Sequence, residues 1–431
     1  DSHTPTGGGL GMLAIGAGGL DVAVAMATGE YALKMPKIIG IELTGRLKPW
    51  VSAKDVILKV LQLLTVKGGT GAVAEYFGEG VAQLSVTDRA TITNMGAELG
   101  ATTSIFPSDQ VTLDFLRRQG RPEVFRELRA DPDAEYSQTI KLDLGELKPM
   151  TAAPHSPDNV VEIDGLTTDK MIKIDQVAIG SCTNSSYTDL MKVAGILKGR
   201  QVHERVSLVI APGSASILKA LAANGAMADL IASGARILEA TCGPCIGMGQ
   251  APKTGGVSLR TFNRNFHGRC GTKDAEVYLV SPETAAYSAL CGFLANPFSG
   301  GETSGEGTKS KGEAELPEAK NHNAELRGAE HQNGELPKVE LPKVDLPEQF
   351  VRCDSYFIWP TKDGRKKEVI MGPNIKPFPI NTPLTRDLKG KILLKAGDNV
   401  TTDDIVPSGA KLLPYRSNIP ELSKYCFGTL D

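Results

Sequence analysis

Gln176-Val177-Ala178-Ile179-Gly180-Ser181-Cys182-Thr183-Asn184-Ser185-Ser186 is a short apolar run of β type that opens directly onto a polar loop carrying a cysteine. Downstream, residues 206–211, 236–240, 257–262 and 277–280 read as further short strands, most of them separated by helical patterns such as 215–233. Upstream, Ser52-Ala53-Lys54-Asp55 reads as a helix N-cap, followed by Val56, Val60, Leu63 and Leu64 on one face. From Val51 to about residue 299 this alternation predicts an α/β fold, α/β layers around a mainly parallel sheet. Four unusual loops each follow directly on one of the strands: Cys182, Pro212-Gly213-Ser214, the pair Cys242 and Cys245, and residues 263–269. In open α/β sheets ligands bind beyond the carboxyl ends of the strands, so these loops are expected to converge on one edge.

The cysteines carry the most specific chemistry. Cys242 and Cys245 stand i, i+3 in Thr241-Cys242-Gly243-Pro244-Cys245-Ile246-Gly247, and Cys182 comes from a distant loop. Three such thiolates can hold three corners of an iron–sulfur cube and leave one iron without a protein thiolate, where it acts as a Lewis acid. Cys-Gly-Pro-Cys also suits a thiol–disulfide redox pair. Here Ala240-Thr241 precede it in place of an aromatic residue, and the third thiol has no place in such a pair. A zinc site would need a fourth ligand, and His203 and His267 are not at finger spacing. The three readings rank in that order. Cys270, Cys291, Cys353 and Cys426 stand alone and read as buried thiols.

Asn263-Arg264-Asn265-Phe266-His267-Gly268-Arg269 puts two guanidinium forks on one glycine-containing loop. Such a loop is ordinarily a salt-bridged surface. Beside the cysteines, Arg264 and Arg269 suit a ligand with two or three carboxylates. Asp1-Ser2-His3 leads into Thr4-Pro5-Thr6-Gly7-Gly8-Gly9, a glycine-rich turn where backbone can approach a ligand closely. Asn94 and Glu98, i and i+4, share a face if their stretch is helical, and His3 and Glu98 could then form an acid/base relay. Surface and capping roles are the ordinary alternatives. The runs Gly16-Ala17-Gly18-Gly19 and Gly68-Gly69-Thr70-Gly71 lack a Walker lysine and a clear dinucleotide context, so no nucleotide is assigned to them.

The 431 residues carry 47 basic and 50 acidic side chains, a net charge of −3, so nothing global points to nucleic acid or an anionic membrane. No run approaches the ~18 apolar residues that span a bilayer. Seven cysteines, an odd number in a long chain, argue against a disulfide framework, and a reduced, cytoplasmic setting is expected. The stretch 299–388 reads as a linker, with low complexity over 299–348: it is rich in Gly, Glu and Lys and ends in Glu335-Leu336-Pro337-Lys338-Val339-Glu340-Leu341-Pro342-Lys343-Val344-Asp345-Leu346-Pro347.

Asp1-Ser2-His3-Thr4, the run Gly96-Ala97-Glu98-Leu99-Gly100-Ala101-Thr102-Thr103-Ser104, the Ser181–Ser186 run, the Cys-Gly-Pro-Cys loop and the two-arginine loop together resemble the aconitase family. The resemblance covers about residues 1–298 and resumes over 395–426, where Thr401-Thr402-Asp403-Asp404 and Pro414-Tyr415-Arg416-Ser417-Asn418-Ile419-Pro420 look bacterial or archaeal. It implies that Cys182, Cys242 and Cys245 bind a [4Fe-4S] cluster, and that Arg264, Arg269 and Arg416 hold substrate carboxylates. Ser2, Asn94 and Asn263 would line the pocket, and Asp1, His3 and Glu98 would be catalytic. The implied parts are residues 1–36, the end of a first domain; 37–153 and 154–298, two successive three-layer α/β domains; and 389–431, the start of a swivelling fourth domain.

The implied activity is aconitate hydratase, interconverting citrate and isocitrate in the tricarboxylic acid cycle. A tricarboxylate substrate, a monomer and no membrane partner are expected. Related hydro-lyases acting on methylcitrate, homoaconitate or isopropylmalate are the alternative within the family, and a cluster-free RNA-binding regulator is the alternative outside it. The family's upstream Asp-His pair and its Ser-Ser-Arg base loop have no counterpart here, so the chain reads as a fragment, inactive by itself.

Overall fold

The computed structural model describes residues 1–167, 170–300, 336–351, 353, 357–398, 400, 402–407 and 412–428. The chain divides into two compact units, Asp1–Cys353 and Asp354–Asp431. The expected low-complexity stretch lies outside the described residues over 301–335.

Among its described residues the first unit holds two sheets. One has four parallel strands, β1 (Lys37–Thr44), β2 (Ala72–Phe77), β3 (Thr103–Ile105) and β4 (Gln138–Asp143), in the order β3-β2-β1-β4. The other has seven: β5 (Met150–Ala152), β6 (Val160–Glu162), β7 (Gln176–Gly180), β8 (Ser207–Ala211), β9 (Arg236–Ile237), β10 (Val257–Arg260) and β11 (Glu276–Leu279). Its order is β6-β5-β11-β10-β7-β8-β9, parallel except where β5 pairs with β6 and β11. From β7 the chain winds outward through β8 to β9, then returns to lay β10 on the other flank of β7. That reversal makes a topological switch point, and the crevice beyond the ends of β7 and β10 is where such sheets bind ligands.

Among the described residues the α-helices of the first unit are α1 (Gly19–Thr28), α2 (Ala53–Leu64), α3 (Val86–Met95), α4 (Gln110–Arg118), α5 (Ile163–Thr167), α6 (Tyr187–Leu197), α7 (Ala215–Ala223), α8 (Ala226–Ala232) and α9 (Pro282–Cys291). Three of them start on reciprocal capping boxes, Ser52 with Asp55, Ser85 with Asp88 and Ser186 with Asp189, which satisfy donors left open by the first turn. Within α2 Val56, Ile57, Leu58, Val60, Leu61 and Leu64 are buried, whereas Leu63, expected on the buried face, is 49% exposed. The single helix expected over 215–233 is two, bent by 88°. Gly225, at φ 85°, supplies the left-handed residue between them.

Residues 336–350 correct the linker expectation. Val339 is buried in the core around α6 and α9, and Leu336, Leu341, Val344 and Phe350 pack against it. Tyr287 Oη donates to Pro337 O (3.2 Å), Arg118 Nη1 to Pro347 O (2.7 Å), and Phe350 packs edge-on against Tyr187. The repeat spaces an apolar residue every two or three positions, enough for a chain without ladder partners to bury one side.

The second unit contains the short helices Thr402–Ile405 and Ile419–Leu422 and, among its described residues, no strand. Arg416 lies there, exposed. Among the described residues of the whole chain no single helix is long and apolar enough to cross a membrane.

Candidate active site

Cys182 is aimed by the end of β7. Gly180 takes φ 131°, where an added Cβ would strike the Ala211 carbonyl, and Ser181 follows at φ 65°, a left-handed conformation rare for a side chain of this kind. The loop is then tied down from within, Ser185 Oγ donating to Ser181 O. Cys242 caps, and Cys245 lies within, a one-turn 3-10 segment, Gly243–Ile246, which has Pro244 in its first turn and is closed by Gly247 at φ 82°. A side chain at Gly247 would strike the Cys270 carbonyl, so this loop lies tight on its neighbour.

Around Cys182 the polar side chains interlock. Asn94 Nδ2 donates to Thr6 Oγ1 (2.7 Å) and to Cys182 O (3.2 Å). Its Oδ1 accepts from Asn263 Nδ2 (2.8 Å) and Thr183 Oγ1 (3.1 Å), and Asn263 Nδ2 lies 3.8 Å from Cys182 Sγ. Thr183 Oγ1 also lies within hydrogen-bond reach of Asn263 Oδ1. The N-terminal turn, the end of α3 and the loops after β7 and β10 are thereby joined at one point.

Glu98 forms a second node. Its Oε1 lies 3.0 Å from His3 Nε2 and accepts from Arg264 Nε at 2.7 Å, with the carboxylate almost fully buried. His3 Nδ1 is 3.1 Å from Ser2 Oγ, and Asp1 Oδ1 accepts the His3 backbone N–H at 2.8 Å. A proton on Nε2 facing the carboxylate leaves Nδ1 to accept from Ser2. Asn94 and Glu98 do not share one helix: α3 ends at Met95, and Glu98 sits in the 3-10 turn Gly96–Leu99 that follows.

Arg269 Nε is buried and, among the described residues, has no hydrogen-bond partner. The hydrogen bond with Cys245 and the nearby positive charges of Arg269, His3 and Arg264 lower the Cys242 thiol from 9.0 to about 6. The same shared hydrogen bond, with burial and the neighbouring Cys242 and Cys182, drives the Cys245 thiol upward. The expected site residues of the first unit therefore share one electrostatic neighbourhood. Arg416 belongs to the second unit, which stands by itself.

The donor set suits an iron–sulfur cluster: three unpaired thiols, two of them exposed, in cationic surroundings with no cross-link between them. Among the described residues no three His, Cys, Asp or Glu side chains close on a single metal ion. A four-iron cube spreads its thiolates wider than one ion does. The two histidines considered for zinc are engaged elsewhere: His267 packs on His155 at 4.8 Å, and His203 Nδ1 accepts from Arg205 N.

Two neighbours escaped the sequence reading. Lys54 and Arg260 are fully buried beside the cysteine loops. An arginine inside the apolar run 257–262 was a usable signal; a lysine in the first turn of an amphipathic helix gives none, since that position is normally solvated.

The model of the aconitase family (aconitate hydratase) matches residues 1–292. The 3-isopropylmalate dehydratase large subunit of Clostridium kluyveri is 44% identical over 299 residues, 69% of this chain and 70% of that protein. The corresponding large subunit of Moorella thermoacetica is 44% identical over the same length, with the same shares. Large subunit 2 of Archaeoglobus fulgidus is 43% identical over 298 residues, 69% of this chain and 71% of its own. Among solved structures, Thermococcus kodakaraensis aconitase X (holo-form) aligns with a TM-score of 0.32 and 13% identity, covering 61% of this chain and 53% of that one, a likeness too slight to carry an argument.

Proposed function

This chain belongs to the aconitase family, and on that premise we propose that it serves a hydro-lyase of the 3-isopropylmalate dehydratase kind, removing water from a hydroxy acid with more than one carboxylate. The expected citrate–isocitrate reaction, and with it the tricarboxylic acid cycle, gives way to this related reaction. Relatives at 43–44% identity carry the 3-isopropylmalate dehydratase name. Their names also contain the words "large subunit", which supports a small-subunit partner in place of the expected monomer.

In this reading Cys182, Cys242 and Cys245 would hold a [4Fe-4S] cluster, which when bound supplies a Lewis-acidic iron that polarises the substrate hydroxyl. Arg269, with its buried Nε unpartnered, takes a carboxylate, and that observation carries the proposal. Arg264 holds a second carboxylate with the guanidinium nitrogens that Glu98 leaves open. Glu98 fixes the His3 ring so that the proton sits on Nε2, and Ser2 is oriented by Nδ1. Asn94 and Asn263 keep the Cys182 loop in register and crowd water from its inner side. Residues 1–36, 37–153, 154–298 and 389–431 are proposed as the parts of the family architecture to which these groups belong.

The test is anaerobic reconstitution with iron and sulfide, followed by EPR of the reduced cluster during titration with 3-isopropylmalate and, separately, with citrate. A spectral change at lower 3-isopropylmalate than citrate concentration supports the proposal. The reverse order restores the aconitate hydratase reading, and no change with either ligand overturns both.

A further inference from the structure

Lys54 and Arg260 are both inaccessible to solvent, and among the described residues neither has a carboxylate at ion-pair distance. Lys54 Nζ donates to the carbonyls of Thr261 (3.0 Å) and Phe262 (2.6 Å), the two residues before Asn263. Its neighbour Asp55 spends its carboxylate on the backbone N–H groups of Ser52 and Met150. Arg260 Nη1 donates to Pro244 O (2.6 Å), inside the Cys-Gly-Pro-Cys turn, and Nη2 to Gln250 O (2.9 Å) just beyond it. Thr261 Oγ1 accepts Gly180 N at 2.9 Å, so the same segment also braces the approach to Cys182.

Buried cations are strongly disfavoured unless negative charge stands close by. Burial indeed pulls Lys54 down to about 7, with Cys182, Asp55 and Cys245 acting in the opposite sense. Arg260 is likewise lowered by burial and supported by Cys270 and Cys245. The negative charge that would compensate both belongs to the cysteine centre.

We propose that Lys54 and Arg260 are positioning residues of that centre, two buried cations that hold, by backbone carbonyls, the start of the two-arginine loop (Lys54) and the Cys-Gly-Pro-Cys turn (Arg260), and that offset the negative charge of the thiolate-held cluster. The proposal rests on the cluster reading above and assigns to these side chains the electrostatics beneath it. Lys54 acts chiefly through charge, and Arg260 through charge and through its two-carbonyl fork.

The test compares the full chain with Lys54→Met, Arg260→Met and Arg260→Lys, each reconstituted anaerobically and titrated by EPR. Loss of a nearby positive charge disfavours the added electron. The two methionine variants are expected to lower the reduction potential by the equivalent of about tenfold in the oxidised-to-reduced ratio, ~59 mV for a one-electron couple. Arg260→Lys keeps the charge and should hold its potential within about twofold of wild type in that ratio, while releasing iron several-fold faster on dilution. Unchanged potentials in methionine variants of native circular dichroism would overturn the proposal. A methionine variant that fails to fold without cluster would assign that residue to the core and overturn its role here. A wild-type chain that takes up no cluster would instead refute the proposed function, a distinguishable result.

Discussion

Arg264 Nε stands 2.7 Å from Glu98 Oε1, the oxygen that also faces His3 Nε2 at 3.0 Å. One buried carboxylate thus couples the loop after β10 to the N-terminal turn. Replacing it by a neutral isostere, Glu98→Gln, keeps the shape and removes the charge. Hydrogen bonds to charged groups are worth roughly 1.5–3 kcal/mol, so urea unfolding should show a loss of about that size, with 3-isopropylmalate affinity falling about tenfold. Stability and affinity equal to wild type would show that the node is incidental.

The Cys242 thiol lies near 6 because its hydrogen bond with Cys245 and the cations around it favour the thiolate. Below that pH the unreactive thiol dominates, above it the thiolate. Alkylation of Cys242 in the cluster-free chain, followed by mass spectrometry, should reach half its maximal rate near pH 6. Arg269→Leu should move that midpoint upward. A wild-type midpoint near the ordinary 9.0 would contradict the described surroundings.

Burial, then the neighbouring Glu283 carboxylate, pushes Asp189 up from 3.8 to about 7, although Ser186 N and Oγ both donate to it. Between about pH 4 and pH 7 the folded chain keeps this proton while the unfolded chain has released it. Stability therefore falls as pH rises through that window, by at most ~1.4 kcal/mol per pH unit, and levels off above it. Asp189→Asn retains a capping acceptor and removes the slope. From about pH 5 to about pH 7 wild type should lose roughly 1–3 kcal/mol relative to the variant in urea unfolding. A difference that stays flat with pH would contradict this account.

The strap 336–350 gives a purely structural prediction. Val339 is 8% exposed within the core cluster, so Val339→Ala should cost about 1–2 kcal/mol in urea unfolding of the first unit. An effect below about 0.5 kcal/mol would be that of a surface site and would mean that the strap is not docked.

Much of this was legible in the sequence because period and punctuation are local. β7 and β8 were marked by short apolar runs, and α2 by Ser52 and Asp55, which form the capping box that its spacing implied. Other features were not local. The break at Gly225 shows only when α7 and α8 find separate packing, and the apolar spacing of 336–350 was outweighed by its charges and prolines. Asn94 and Glu98 reach the same pocket from a helix end and a tighter turn, a change of geometry that i, i+4 spacing does not reveal. Lys54 was unreadable as a site residue because a buried cation in the first turn of an amphipathic helix is defined by its surroundings alone, whereas Arg260 stood out only as a charge inside an apolar run.

The central claim is that Cys182, Cys242 and Cys245 share one cluster with an iron free to take substrate. Mössbauer spectroscopy of the reconstituted chain, labelled with iron-57 and recorded with and without 3-isopropylmalate, tests it most directly. The expected spectrum is that of a four-iron cluster in which one iron site alone changes on adding the ligand, and it is lost in Cys182→Ala. A chain that binds no iron, or whose iron sites all remain unchanged with ligand, would contradict it.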